Sequence, residues 1–120
     1  MIEEYHFGSI TINGKTYNHD VEVRWTGEVL KWWRGESHVI DVDDVKRAIG
    51  ESPDTIIIGT GELGVARVTE AAQKAIKLKG IELIIDITEQ ATKTFNIIKG
   101  ESEKEEGRQR KVIGLFHLTC

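Results

Sequence analysis

A chain of 120 residues with a net charge of −4, 39% hydrophobic and 30% charged, is a single globular domain by size and composition rather than a disordered segment. Its lysines and arginines are scattered among acids, which argues against nucleic acid as a partner. No apolar run approaches the ~20 residues of a membrane span, so no membrane partner is expected either. The one cysteine, Cys120, cannot close an internal disulfide, and Met1–Glu4 carries no signal or transit character, so the expected location is cytoplasmic.

The first third reads as an antiparallel β-meander. A strand over Tyr5–Ile12 leads into Asn13-Gly14, a strong two-residue hairpin signal. A second strand around Val21–Trp25 alternates Val21, Val23 and Trp25 with Glu22 and Arg24. Thr26-Gly27-Glu28 turns the chain into a third strand over Val29–Trp33. Asp41 then caps a short helix with Asp43 and Asp44 in its first turn and the stripe Val42, Val45, Ile49. Gly50 ends that helix and Pro53 blocks its continuation.

From Thr55 the period changes. Thr55–Ile58 is a continuous apolar run, the pattern of a strand covered on both faces, and Ile81–Ile87 is read in the same way. Between them Thr69–Lys79 is a helix with Ala72, Ala75 and Ile76 inward, closed by Gly80. Thr88 caps a further helix with the stripe Ala91, Phe95, Ile98, ending at Gly100. A charged loop from Gly100 to Arg110 precedes a last strand, Lys111–Leu118. The expected fold class is α/β, a single domain over residues 1–120, with the meander followed by alternating helices and strands.

One motif invites a specific function. Gly59-x-Gly61-x-x-Gly64 follows a β-branched run, and Asp86 ends a second apolar run twenty-two positions later. That is the outline of a dinucleotide-binding fingerprint. The fingerprint needs its third glycine inside the first helical turn, where the helix N-terminus meets the pyrophosphate. Here the best helix start is Thr69, which leaves Val65–Val68 irregular and the anion cradle unassembled. Gly59 and Gly61 then serve a sharp turn at a strand end. If the two apolar strands are adjacent and parallel, the loops at their carboxyl ends flank a crevice where Gly59, Thr60, Gly61 and Thr88 could hold a small anion or a nucleotide phosphate. Asn96 is placed around that pocket, and Arg34 and His38 on its rim.

The histidines lack metal-ligand spacing, and neither metal nor cofactor is expected. Ser37 beside His38 is no catalytic pair, because strand neighbours face opposite ways. The same rule splits Trp32 from Trp33: at most one points inward, and the other is a candidate anchor for a protein partner or for a homodimer contact.

Several residues together resemble a known pattern: Asn13-Gly14 with Tyr17 and Asp20-Val21, Trp33-Arg34, His38, Ile56–Gly61, Thr88 with Ala91, Thr94-Phe-Asn96, and His117-Leu-Thr-Cys120. The chain resembles the small family of adipogenesis-associated domain proteins and the mitochondrial complex I assembly factor three, although Phe95 stands where that family often has tyrosine. The resemblance implies a three-layer α/β fold with a mixed central sheet, flanking helices and an added antiparallel sheet, not a true Rossmann fold. It also implies a non-catalytic interaction or assembly role.

Overall fold

The structure, a computed structural model, describes residues 1–104 and 110–120. Strands β1 (Ile2–His6), β2 (Ser9–Ile12) and β3 (Lys15–Tyr17) form a small antiparallel sheet in sequential order. What reads as one strand over Tyr5–Ile12 is two, because the chain reverses at Phe7-Gly8 with Gly8 at φ +82°. The Asn13-Gly14 hairpin forms with both residues at positive φ, as a primed turn requires.

The hairpin β4 (Val21–Arg24) and β5 (Val29–Lys31) does not extend that meander. It crosses to the edge of a second sheet and ends before Trp32. β6 (Val39–Ile40) leads to α1 (Val42–Gly50), where Asp41 and Asp44 form a reciprocal capping box. β7 (Thr55–Thr60) is buried at every position, as its apolar run demands. β8 (Arg67–Val68) pairs with β6, and α2 (Glu70–Leu78) starts behind Thr69, whose hydroxyl accepts the Ala72 amide. β9 (Glu82–Asp86) lies parallel to β7, but its flanks and Ile85 are exposed. It is an edge strand and not the doubly covered one its composition suggests. α3 (Thr88–Lys104) runs straight through Gly100, and the rest of the expected charged loop, 105–109, lies outside the described residues. β10 (Val112–His117) completes the chain.

The central sheet has the order β5-β4-β10-β7-β9. β10 is inserted between β4, antiparallel to it, and β7, parallel to it, so the sheet is mixed and the strand order is not that of a dinucleotide fold. On one face Ile56, Ile58, Ile113 and Leu115 pack against α1 and α2. On the other Ile57, Val112 and Phe116 meet α3 and the small sheet through Phe95, Ile10 and Ile12. Three layers result. Phe95 and Phe116 contact edge to face at 6.0 Å, and Gly114 is small because a side chain there would strike the Phe116 ring.

Candidate functional site

The carboxyl ends of β7 and β10 converge on the glycine loop. A Cβ on Gly59 would lie 2.8 Å from the Thr88 Oγ1 and 3.1 Å from the Thr88 Cα. Gly61, at φ +102°, would place one 2.5 Å from the Thr119 carbonyl. Both glycines therefore serve close approach, and what approaches is protein. The Gly61 amide donates to Thr88 Oγ1 (2.8 Å), which donates in turn to the His117 carbonyl (2.5 Å). The Thr88 amide returns a bond to the Gly61 carbonyl (3.0 Å), and the Glu62 amide donates to Thr119 O (2.8 Å). Thr60 Oγ1 donates to the Asp86 carbonyl (3.1 Å). Thr88 thus opens α3 with its hydroxyl committed to a strand-to-strand link.

Of the residues grouped around this loop on sequence grounds, Gly59, Thr60, Gly61 and Thr88 come together. Asn96 does not join them. It lies eight positions along α3 from Thr88, about 12 Å at the helical rise, and its amide group accepts from Ile2 N (2.9 Å) and donates to Ile2 O (2.7 Å), fastening β1 to the helix. His38 is exposed, and its carbonyl accepts the Arg67 amide.

Arg34 belongs to a second cluster that sequence reasoning missed. Its Nε and Nη2 donate to Asp20 Oδ2 (3.1 and 2.8 Å). Its Nη1 donates to the carbonyls of Glu36 and Ser37 (2.8 Å each), and Nη2 also lies 2.7 Å from His117 Nδ1. His117 Nδ1 is 2.8 Å from Asp20 Oδ2, while Asp20 Oδ1 accepts the Leu118 amide (2.9 Å). Burial pushes the Asp20 carboxyl up, but the bonds from His117, Leu118 and Arg34 together outweigh it and hold the group below the ordinary carboxylate value. His117 Nδ1 faces both the Asp20 carboxylate and the Arg34 guanidinium, and Nε2 is an enclosed nitrogen with no partner among the described residues. Asp20, Arg34 and His117 all stand among the residues that carry the family resemblance, but nothing in their spacing says that they meet.

Tyr5 ties the small sheet to the same end of the molecule. Its hydroxyl donates toward Leu118 O (3.1 Å) and Glu62 Oε2 (3.2 Å). Burial first, then the neighbouring Glu62 carboxylate, drives its phenol well above the ordinary value.

The tryptophan pair divides. Trp32 is 5% exposed and donates from Nε1 to Asp44 O (2.9 Å), whereas Trp33 is 71% exposed, with the Lys31 ammonium 4.1 Å from its ring centroid. An open depression of about 220 Å³ adjoins them, bordered by Asp20, Arg34, Glu36 and Ser37. Among the described residues no three His, Cys, Asp or Glu side chains are grouped to hold a metal ion, and no helix is long and apolar enough to cross a membrane.

A family model described as a protein of unknown function (DUF498/DUF598) matches residues 2–117. The conserved hypothetical protein PH1505 from Pyrococcus horikoshii OT3 is 26% identical at a TM-score of 0.80, with 100% of this chain and 99% of that one aligned. The protein MT938 is 26% identical at 0.79, with 100% and 98% aligned. A protein from Bartonella henselae described as an outer membrane protein is 20% identical at 0.80, with 99% and 94% aligned, a likeness that shows the fold alone.

Proposed function

The chain belongs to the DUF498/DUF598 family of unknown function, and on that premise we propose that it is a non-catalytic protein-interaction or assembly module that presents Trp33 to a protein partner. The observation that carries this reading is the 71% exposure of Trp33 on a segment whose backbone is fixed from below. Arg34 clamps that segment through the Glu36 and Ser37 carbonyls and through Asp20, and Trp32 anchors it to α1. An exposed indole on a pinned backbone loses less entropy on docking than one on a free loop, which is the profile of an interface anchor. The reading is in keeping with the resemblance to adipogenesis-associated domain proteins and the complex I assembly factor three, and with a cytoplasmic setting. A second copy docking on Trp33 is one form of it.

Two further features favour a non-catalytic role. Neither ring nitrogen of His117 is open to a substrate, since Nδ1 faces Asp20 and Arg34 and Nε2 is enclosed. The alternative, a small-anion or nucleotide-phosphate site at Gly59-Thr60-Gly61 and the start of α3, is less well supported because the Gly61 and Glu62 amides and the Thr88 hydroxyl already bond to protein. The test is quantitative capture from extracts of the source cells with parent protein and with Trp33→Ala. The reading expects a specific band lost in Trp33→Ala at unchanged thermal stability. Capture that is indifferent to Trp33 sinks it.

A further inference from the structure

The two edges of the central sheet are not alike. β5 is three residues long and ends in Lys31, whose carbonyl is covered by Arg47 Nη2 (2.7 Å). A short strand with a lysine is a blunted edge. β9 has five residues, Glu82-Leu-Ile-Ile-Asp86, with no proline and no lysine, and among the described residues no strand pairs with its outer side. The Glu82 amide donates inward to Asp54 O (3.0 Å), so Glu82, Ile84 and Asp86 turn their backbone groups toward β7. By alternation the amides and carbonyls of Leu83 and Ile85 face outward. Ile85 is 40% exposed beside them.

We propose that this edge docks an extended segment of another protein, added as a sixth strand, that carries lysine or arginine opposite Asp86. The proposal rests on the interaction-module reading and supplies the chemistry of a partner. Charge selects the occupant. In the one antiparallel register that would pair all four outward groups of β9 with those of a second copy, Leu83 matches the copy's Ile85 and Glu82 lies against the copy's Asp86, twice. Arg110, 2.6 Å from Glu82, offsets one of the two carboxylates and leaves each end negative. Like charges directly opposed destabilise strand pairing. A foreign segment with a basic residue opposite exposed Asp86 meets attraction instead, and its main chain takes up the four outward groups, as in strand addition generally.

The probe is a pair of capped peptides of about six alternating valine and threonine residues, one with lysine and one with glutamate at both ends. The readout is amide hydrogen exchange of the protein, residue by residue. At a peptide concentration tenfold above its dissociation constant, the Leu83 and Ile85 amides should exchange about 10-fold more slowly with the lysine peptide, and measurably less so with the glutamate peptide. Ile85→Pro removes an outward donor and no inward pair, so Leu83 protection should vanish while β7 and β10 amides stay protected. If Ile85→Pro unfolds, Leu83→Pro read at Ile85 replaces it. Asp86→Asn keeps an acceptor for the Ile87 amide (2.8 Å in the parent) and should abolish the preference for lysine. Trp33→Ala should leave all of this unchanged. The proposal is overturned if neither peptide protects these amides, if both protect equally, or if protection rises with protein concentration alone. With Trp33-dependent capture intact, such a result removes the edge site and not the interaction module.

Discussion

Replacing Thr88 by valine tests whether the glycine loop is a joint between protein parts. Valine has nearly the shape of threonine, so the change removes a hydroxyl and little else. That hydroxyl is fully buried, accepts the Gly61 amide at 2.8 Å and donates to the His117 carbonyl at 2.5 Å. Its loss leaves one backbone donor and one acceptor unsatisfied, at about 1–3 kcal/mol each. A methyl group at those two distances also overlaps both atoms, since carbon contacts are comfortable only near ~3.5 Å. The two lost bonds together cost about 2–6 kcal/mol, and the overlap places the change in the upper part of that range. A chain of this length has an unfolding entropy near ~0.25 kcal/mol/K, so melting should fall by roughly 8–24 °C. Thr88→Ser keeps both bonds and loses one methyl group, about 1 kcal/mol. Urea unfolding with unchanged m-value gives the two differences. A valine variant within ~0.5 kcal/mol of the serine variant would refute the reasoning.

Four other outcomes follow from the same structure. The Asp20 carboxyl is held below its ordinary 3.8, so its stabilising contribution is complete above that value and drains away as pH falls through the folded one; acid titration of Asp20→Asn should lack this component of the parent's loss below about pH 4. Glu22, 1% exposed and bound by Arg24 (2.8 Å) and Arg47 (3.0 Å), should cost about 3 kcal/mol in denaturant titration when changed to alanine, because Arg24 is left partly uncompensated in a buried site. Arg47→Ala, at a half-exposed position, should cost under ~1 kcal/mol. Asn96→Ala should cost roughly 1–2 kcal/mol and raise amide exchange in β1 and β2 selectively, since only Ile2 loses its two bonds to α3.

Local signals in the sequence were legible where one residue does one job. Asp41 and Thr69 cap α1 and α2 in place, and Thr55–Ile58 belongs to a strand buried on both faces. The start of α2 behind Thr69 separates the glycines from the helix, as the spacing of Val65–Val68 implies. Tertiary choices were not legible. β4 and β5 have the alternation of a meander, but nothing in Val21–Lys31 says which sheet they join. Ile81–Ile87 is apolar enough for a central strand and becomes an edge because β10 takes the place on the other side of β7. The link between Asp20 and His117 spans 97 positions, and only folding brings the two strand ends together. Gly100 reads as a helix stop, but no requirement for positive φ is imposed there and α3 continues.

A protein-interaction module whose glycine loop is filled by its own chain has no room there for a small ligand. The most direct measurement is a thermal-shift panel of NAD, NADP, ATP, flavins, phosphate and sulfate on parent protein and on Trp33→Ala. An interaction module with a filled loop should show an unchanged melting temperature with every small molecule in both proteins. A ligand at 100 times its dissociation constant would add ~2.7 kcal/mol, roughly a 10 °C rise. Such a rise in the parent, lost in a folded Gly61→Ala variant, would contradict the account and establish the loop as a binding site.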